Sequence, residues 1–128
     1  MKFSEITNNK YVDYFSKVDE SNINDEIMNE FLNKMIKVSE SIDKSEITPP
    51  TEIINEIKSK LMLDGSVYAI ITQIASSDLI NSLSSLEIFT LLWFVSCKNA
   101  FCFEEGVYYN MTINKTIGNL LKKLSSCQ

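Results

Sequence analysis

A chain of 128 residues, 45% apolar and 23% charged, is sized and composed for one globular domain and is too apolar for a disordered tail. It has no histidine, and its 12 basic residues are all lysine, which removes the usual acid–base group near neutrality, any Ser-His or Cys-His pair, the commonest metal ligand and the planar fork for bidentate phosphate binding. The net charge of −5 gathers in residues 1–57, where 12 acids face 6 lysines, and this disfavours a general nucleic-acid coat.

In chain order, residues 1–20 read as a loosely packed N-terminal segment, with Tyr11, Val12, Tyr14, Phe15 and Val18 at spacings that suit one short helix. Residues 24–42 are the clearest amphipathic helix. Asn24 can cap it, Asp25 and Glu26 suit the positive end of its dipole, and Met28, Phe31, Met35, Val38 and Ile42 recur at alternating threes and fours. Ile27, Leu32 and Ile36 widen the stripe. The run is under three heptads, so packing within the domain is favoured over a coiled coil. The polar stretch closed by Pro49-Pro50 makes 44–50 a weak internal boundary, but neither side is long enough to stand alone, and 1–128 reads as a single domain.

A new helix is expected from about Thr51, carrying Ile53, Ile54, Ile57 and Leu61, with Gly65 placed for a left-handed cap. Val67, Tyr68, Ile70, Ile71 and Ile74 then read as a buried helix, with strand the alternative because so many are β-branched. Ser76-Ser77-Asp78 restarts a short helix carrying Leu79, Ile80 and Leu83. In 84–97, Ser84 and Glu87 have capping-box spacing, and Ile88 to Val95 leave almost no polar face. That run is too short for a bilayer, which needs about 20 apolar residues, so it predicts a central core helix with Trp93 in the interior.

Residues 100–113 alternate. Phe101 and Phe103, then Val107, Tyr109, Met111 and Ile113, would line one face of a β-hairpin turned at Glu104-Glu105-Gly106. A last helix is expected over about 114–124, with Ile117, Leu120, Leu121 and Leu124 inward. The fold class is therefore mainly α: a single compact helical domain of about five to seven helices with a small β-hairpin near 100–113.

The chemistry is sparse. Three glycines, Gly65, Gly106 and Gly118, are too scattered for a phosphate loop. Cys97, Cys102 and Cys127 read as free thiols of a cytoplasmic protein, since their number is odd and the N-terminus has no signal-like apolar run. Two of them are too few for zinc without histidine. No cofactor, metal or catalytic residue is expected, and Asn110-Met-Thr112 and Asn114-Lys-Thr116 are treated as chance sequons. Lysine-only basicity also fits an AT-rich coding sequence, as in a phage, a mobile element or a low-GC bacterium.

By elimination the leading expectation is a protein–protein interaction module of the inhibitor, immunity, chaperone-like or assembly-adaptor kind, not an enzyme, its partner another protein or a second copy. The candidate contact residues are Tyr108, Glu104 and Glu105 on the hairpin, and Tyr11, Tyr14 and Phe15 near the N-terminus. The alternative starts from Asn114-Lys-Thr-Ile-Gly-Asn-Leu-Leu-Lys-Lys-Leu124. Residues 86–124 resemble the helical part of winged-helix regulators. That resemblance implies a recognition helix with Asn114, Lys115, Thr116, Asn119, Lys122 and Lys123 facing DNA. Against it, residues 104–110 are β-prone where such a motif needs helix, and arginine, the commonest base reader, is absent. Packing of the C-terminal helix on the core is the plainer expectation.

Overall fold

The computed structural model describes residues 3–19, 21–41, 50–98 and 111–126, and among these the chain is helical, with no strand. Six α-helices follow one another: α1 (Asn9–Lys17), α2 (Asp25–Ser41), α3 (Pro50–Leu61), α4 (Val67–Ala75), α5 (Ser85–Trp93) and α6 (Met111–Ser126). A 3₁₀ turn, Asp78–Ser82, leads into α5, and a π-helical turn, Phe94–Lys98, extends it.

The helix starts follow from short polar side chains. Asn8 Oδ1 accepts from the Lys10 amide at 3.0 Å, and Asn24 Oδ1 accepts from the Ile27 amide at 3.2 Å. Ser66 Oγ accepts from Ala69 and Ser77 Oγ from Leu79. Pro50 occupies the first turn of α3, where its missing N–H costs nothing. At α5 the capping box is closed in both directions: Glu87 N donates to Ser84 Oγ at 3.2 Å, and Ser84 N donates to Glu87 Oε1 at 2.9 Å. Glu87 Oε1 also meets Lys60 Nζ at 3.3 Å, which ties α3 to α5 across the surface.

The centre of the fold is α6. It packs against α1, α4, α5 and the π turn, while α3 leans on α5 and α2 on the π turn. Ile113, Ile117, Leu120, Leu121 and Leu124 are all buried along it, and so are Ile88, Phe89, Leu91 and Leu92 of α5. Asn119 bridges to α4 by donating from Nδ2 to the Ala75 carbonyl at 3.1 Å, which supplies a partner to one of the open carbonyls at that helix end.

The α1–α6 contact is close enough to be set by a glycine. A Cβ at Gly118 would lie 3.1 Å from both the Phe15 carbonyl carbon and oxygen, and 3.3 Å from the Ser16 nitrogen. Aromatic rings fill the neighbouring space. Phe31 of α2 lies 4.9 Å edge-on to Phe15 and 5.6 Å from Tyr11, and Phe3 stacks on Phe89 at 5.1 Å.

Four expectations change. The N-terminal segment is not loosely packed: Phe3, Ile6, Tyr11 and Phe15 belong to the core, because the bare backbone at Gly118 lets α1 approach α6. The hairpin cannot run to Ile113, since Met111–Ile113 form the first turn of α6. Ile113 lies four residues before Ile117, so the helical stripe claims it and outweighs a short period-2 alternation. Residues 100–110 of the expected hairpin lie outside the described residues. Trp93 is half-buried at the edge of the core, whereas Ile88 to Leu92 before it are buried. Gly65 does take a positive φ, 120°, but the left-handed residue that ends α3 is Met62.

Polar residues inside the apolar α5 run stay satisfied by bonding back along the helix. Thr90 Oγ1 donates to the Leu86 carbonyl at 2.8 Å, and Ser96 Oγ to that of Leu92 at 2.7 Å. The wider π turn keeps two consecutive residues, Val95 and Ser96, fully inside.

Candidate functional site

The end of α3 departs furthest from what local preference dictates. Leu63 N donates to the Lys58 carbonyl at 2.9 Å and Met62 N to that of Ser59 at 3.3 Å. These are the two bonds of a Schellman turn, and they place Met62 at the left-handed position where glycine is the usual occupant. Its φ is 56°, a conformation that costs a residue with a Cβ about 1 kcal/mol or more.

The turn sends Leu63 back against the core and expels Met62, which is 90% exposed. Among the described residues the other large apolar side chains left in solvent are Ile23 at 42% and Ile36 at 47%. Met62→Gly should therefore raise stability by up to about 1 kcal/mol, because it relieves the Cβ while removing no packed atoms. A higher denaturant midpoint at unchanged slope is the expected reading. A lower one would show that the methionine side chain supports the fold.

A second polar cluster joins α1 to α2. The Tyr11 phenol donates to Glu30 Oε1, and Lys10 Nζ meets Glu30 Oε2 at 2.9 Å. Lys34 Nζ lies 5.6 Å from the Tyr11 ring centre. Burial, reinforced by the hydrogen bond to the Glu30 carboxylate, pushes the Tyr11 phenol well above its ordinary range. The same hydrogen bond, with Lys10 beside it, holds the Glu30 carboxyl below its own. Burial likewise raises the Tyr14 phenol, although its oxygen accepts from the Asn24 amide at 3.0 Å.

This pair gives the fold a pH window. A phenol whose folded pKa exceeds its unfolded value of 10.0 contributes stability that is present below that value and lost as pH climbs through the folded pKa. A carboxyl depressed from 4.5 contributes stability that is present above that value and lost as pH falls. Thermal melts should therefore decline above about pH 10 and below about pH 4.5. Tyr11→Phe should flatten the alkaline limb relative to wild type; equal alkaline slopes would remove Tyr11 as the cause.

The residues singled out from sequence are scattered by the fold. Tyr11 and Phe15 are buried and Tyr14 is half-buried, so they are core residues and offer no exposed patch. Met28, Phe31, Met35 and Val38 are buried along α2. Tyr108, Glu104 and Glu105 lie outside the described residues.

On α6, Lys115 and Lys122 are exposed and Lys123 is half-buried. Asn114 and Thr116 were expected on the outer face but are each only 3% exposed, because α6 has neighbours on several sides and its apolar face is wider than the stripe of Ile117, Leu120, Leu121 and Leu124. Asn119 is held by Ala75. The Asn114 Oδ1 is buried without a hydrogen-bond partner among the described residues, a cost of about 1–3 kcal/mol in a native core.

Among the described residues no three Cys, Asp or Glu converge as a metal site, and no helix is long and apolar enough to cross a membrane. No family model, curated protein or solved structure matches the chain.

Met62 was not flagged by sequence. Leu61-Met62-Leu63 reads as a continuation of apolar residues, and Gly65 drew the left-handed assignment. The signal that could have found it is periodicity: Ile54, Ile57 and Leu61 share a stripe that Met62, at the next position, leaves by about 100°.

Proposed function

We propose that this protein acts by surface recognition of another protein, as an inhibitor, immunity, chaperone-like or adaptor module, and that Met62 is a contact residue. The observation that carries the reading is an apolar side chain 90% in solvent, on a backbone conformation that glycine would adopt at lower cost. Methionine is enriched at interfaces, where its unbranched thioether adapts to the opposing surface. The rigid Schellman turn presents it with little backbone entropy left to lose on binding. Asp64 and Lys60 flank it as exposed polar neighbours, the ordinary rim of such a contact.

The recognition-helix alternative has no comparable support. Asn114 and Thr116 are buried, which leaves Lys115 and Lys122 as its outward groups.

The test compares wild type with Met62→Gly and Met62→Asp for a stably retained partner, a second copy included, by affinity capture and sedimentation. Wild type should hold a partner, and Met62→Asp should weaken it by about tenfold or more while circular dichroism and melting stay at wild-type values or better. A wild type that is monomeric and retains nothing, or a partner held equally by Met62→Asp, would sink the proposal.

A further inference from the structure

The accessibility of the three methionines whose side chains are described differs enough to assign a chemical reactivity. Met28 and Met35 are 6% and 0% exposed in the α2 face of the core, whereas Met62 is 90% exposed. We infer that Met62 is a modification site for two-electron oxidants of the peroxide class, converted to the sulfoxide while the protein stays folded.

The step balances with the peroxide alone. A lone pair on Met62 Sδ attacks one peroxide oxygen, the O–O bond breaks, and the sulfur–oxygen bond forms. The sulfur is oxidised by two electrons and the peroxide is reduced to water, with solvent relaying the proton to the departing hydroxide.

Three features of the turn make the site selective. The sulfur is open to solvent without any opening of the fold, so its rate is set by encounter with oxidant, whereas oxidation of Met28 and Met35 must wait for unfolding. The Met62 backbone is pinned by hydrogen bonds that do not involve the side chain: its amide donates to Ser59, and Leu63 closes onto Lys58. The group that becomes polar is already in water, so the sulfoxide forfeits no packing, whereas at Met35 it would place a dipole inside the core. The product is a polar, chiral group written onto an apolar projection of an intact surface. The assignment is of the uncovered turn, and a partner or second copy seated on Met62 would shield its sulfur.

The experiment treats the full chain with hydrogen peroxide, natively and in urea, and follows the added oxygen residue by residue by fragmentation mass spectrometry. That readout separates the methionines from Cys97, Cys102 and Cys127. In the native protein Met62 should oxidise at close to its rate in urea, and at least about tenfold faster than Met28 or Met35. All three rates should converge in urea. The native protein oxidised at Met62 should keep its circular dichroism and its melting temperature.

Native oxidation of Met28 or Met35 at a rate matching Met62 would overturn the assignment. So would a Met62 rate about tenfold below its rate in urea. A fall of more than about 5 °C in melting on oxidation at Met62 would refute the claim that the turn accepts the sulfoxide. Met62→Leu serves as the control and should lose the oxidation assigned to residue 62, with its folding unchanged.

Discussion

Gly118→Val should destabilise the protein by about 3 kcal/mol, a large share of the roughly 5–15 kcal/mol that holds a typical domain together. The reason is positional. The site a Cβ would take is 3.1 Å from the main-chain carbonyl carbon and oxygen of Phe15, and a helical backbone, unlike the end of a side chain, does not swing aside. α1 would have to move away from α6, opening the seam where Phe15 and Ile117 are buried.

Gly118→Ala separates two opposed effects. Helix propensity alone would favour alanine by about 1 kcal/mol, so a net loss measures the steric cost. Denaturant midpoints at constant slope provide the reading. An alanine variant more stable than wild type would show that α1 yields freely and that the glycine does not set the contact.

Phe31→Ala is expected to cost about 3–5 kcal/mol. Phe31 is fully buried and borders two rings at once, Phe15 of α1 edge-on at 4.9 Å and Tyr11 at 5.6 Å. Removing it leaves a void lined by side chains of α1, a helix that is itself held against α6, so the site cannot collapse easily. Phe31→Leu keeps most of the volume and should cost less than half as much. A loss below about 1.5 kcal/mol for alanine would mean that α2 is only lightly docked. Because Tyr11 loses a neighbour, this variant should also shift the alkaline limb of the melting curve toward lower pH.

Local signals carried most of the helical architecture, and each had a physical origin within a few residues. Asn24, Ser77 and Ser84 mark starts because a side-chain oxygen can accept the first free amides. The stripe from Met28 to Val38 marks a buried face because its spacing matches the helical turn.

What escaped depended on the third dimension. A tight α1–α6 seam is invisible when Gly118 is met as one more residue in a helical run, so the N-terminal aromatics looked free. Ile113 belonged to two competing periods, and only docking of α6 decides between them. The π turn after Trp93 has neither glycine nor proline to mark it. The candidate site was the least legible part, because Met62 stands out by being expelled from its own stripe, and expulsion is known only once the neighbours are in place.

The position of α6 at the centre of the fold governs how the chain must be made. The helix that seals α1, α4 and α5 together is the last of the six to leave the ribosome, so the earlier ones must wait with their greasy sides uncovered. Closure then joins segments from opposite ends of the described sequence, a non-local event that slows folding. Nascent chains stalled before α6 would be sticky intermediates in need of a chaperone.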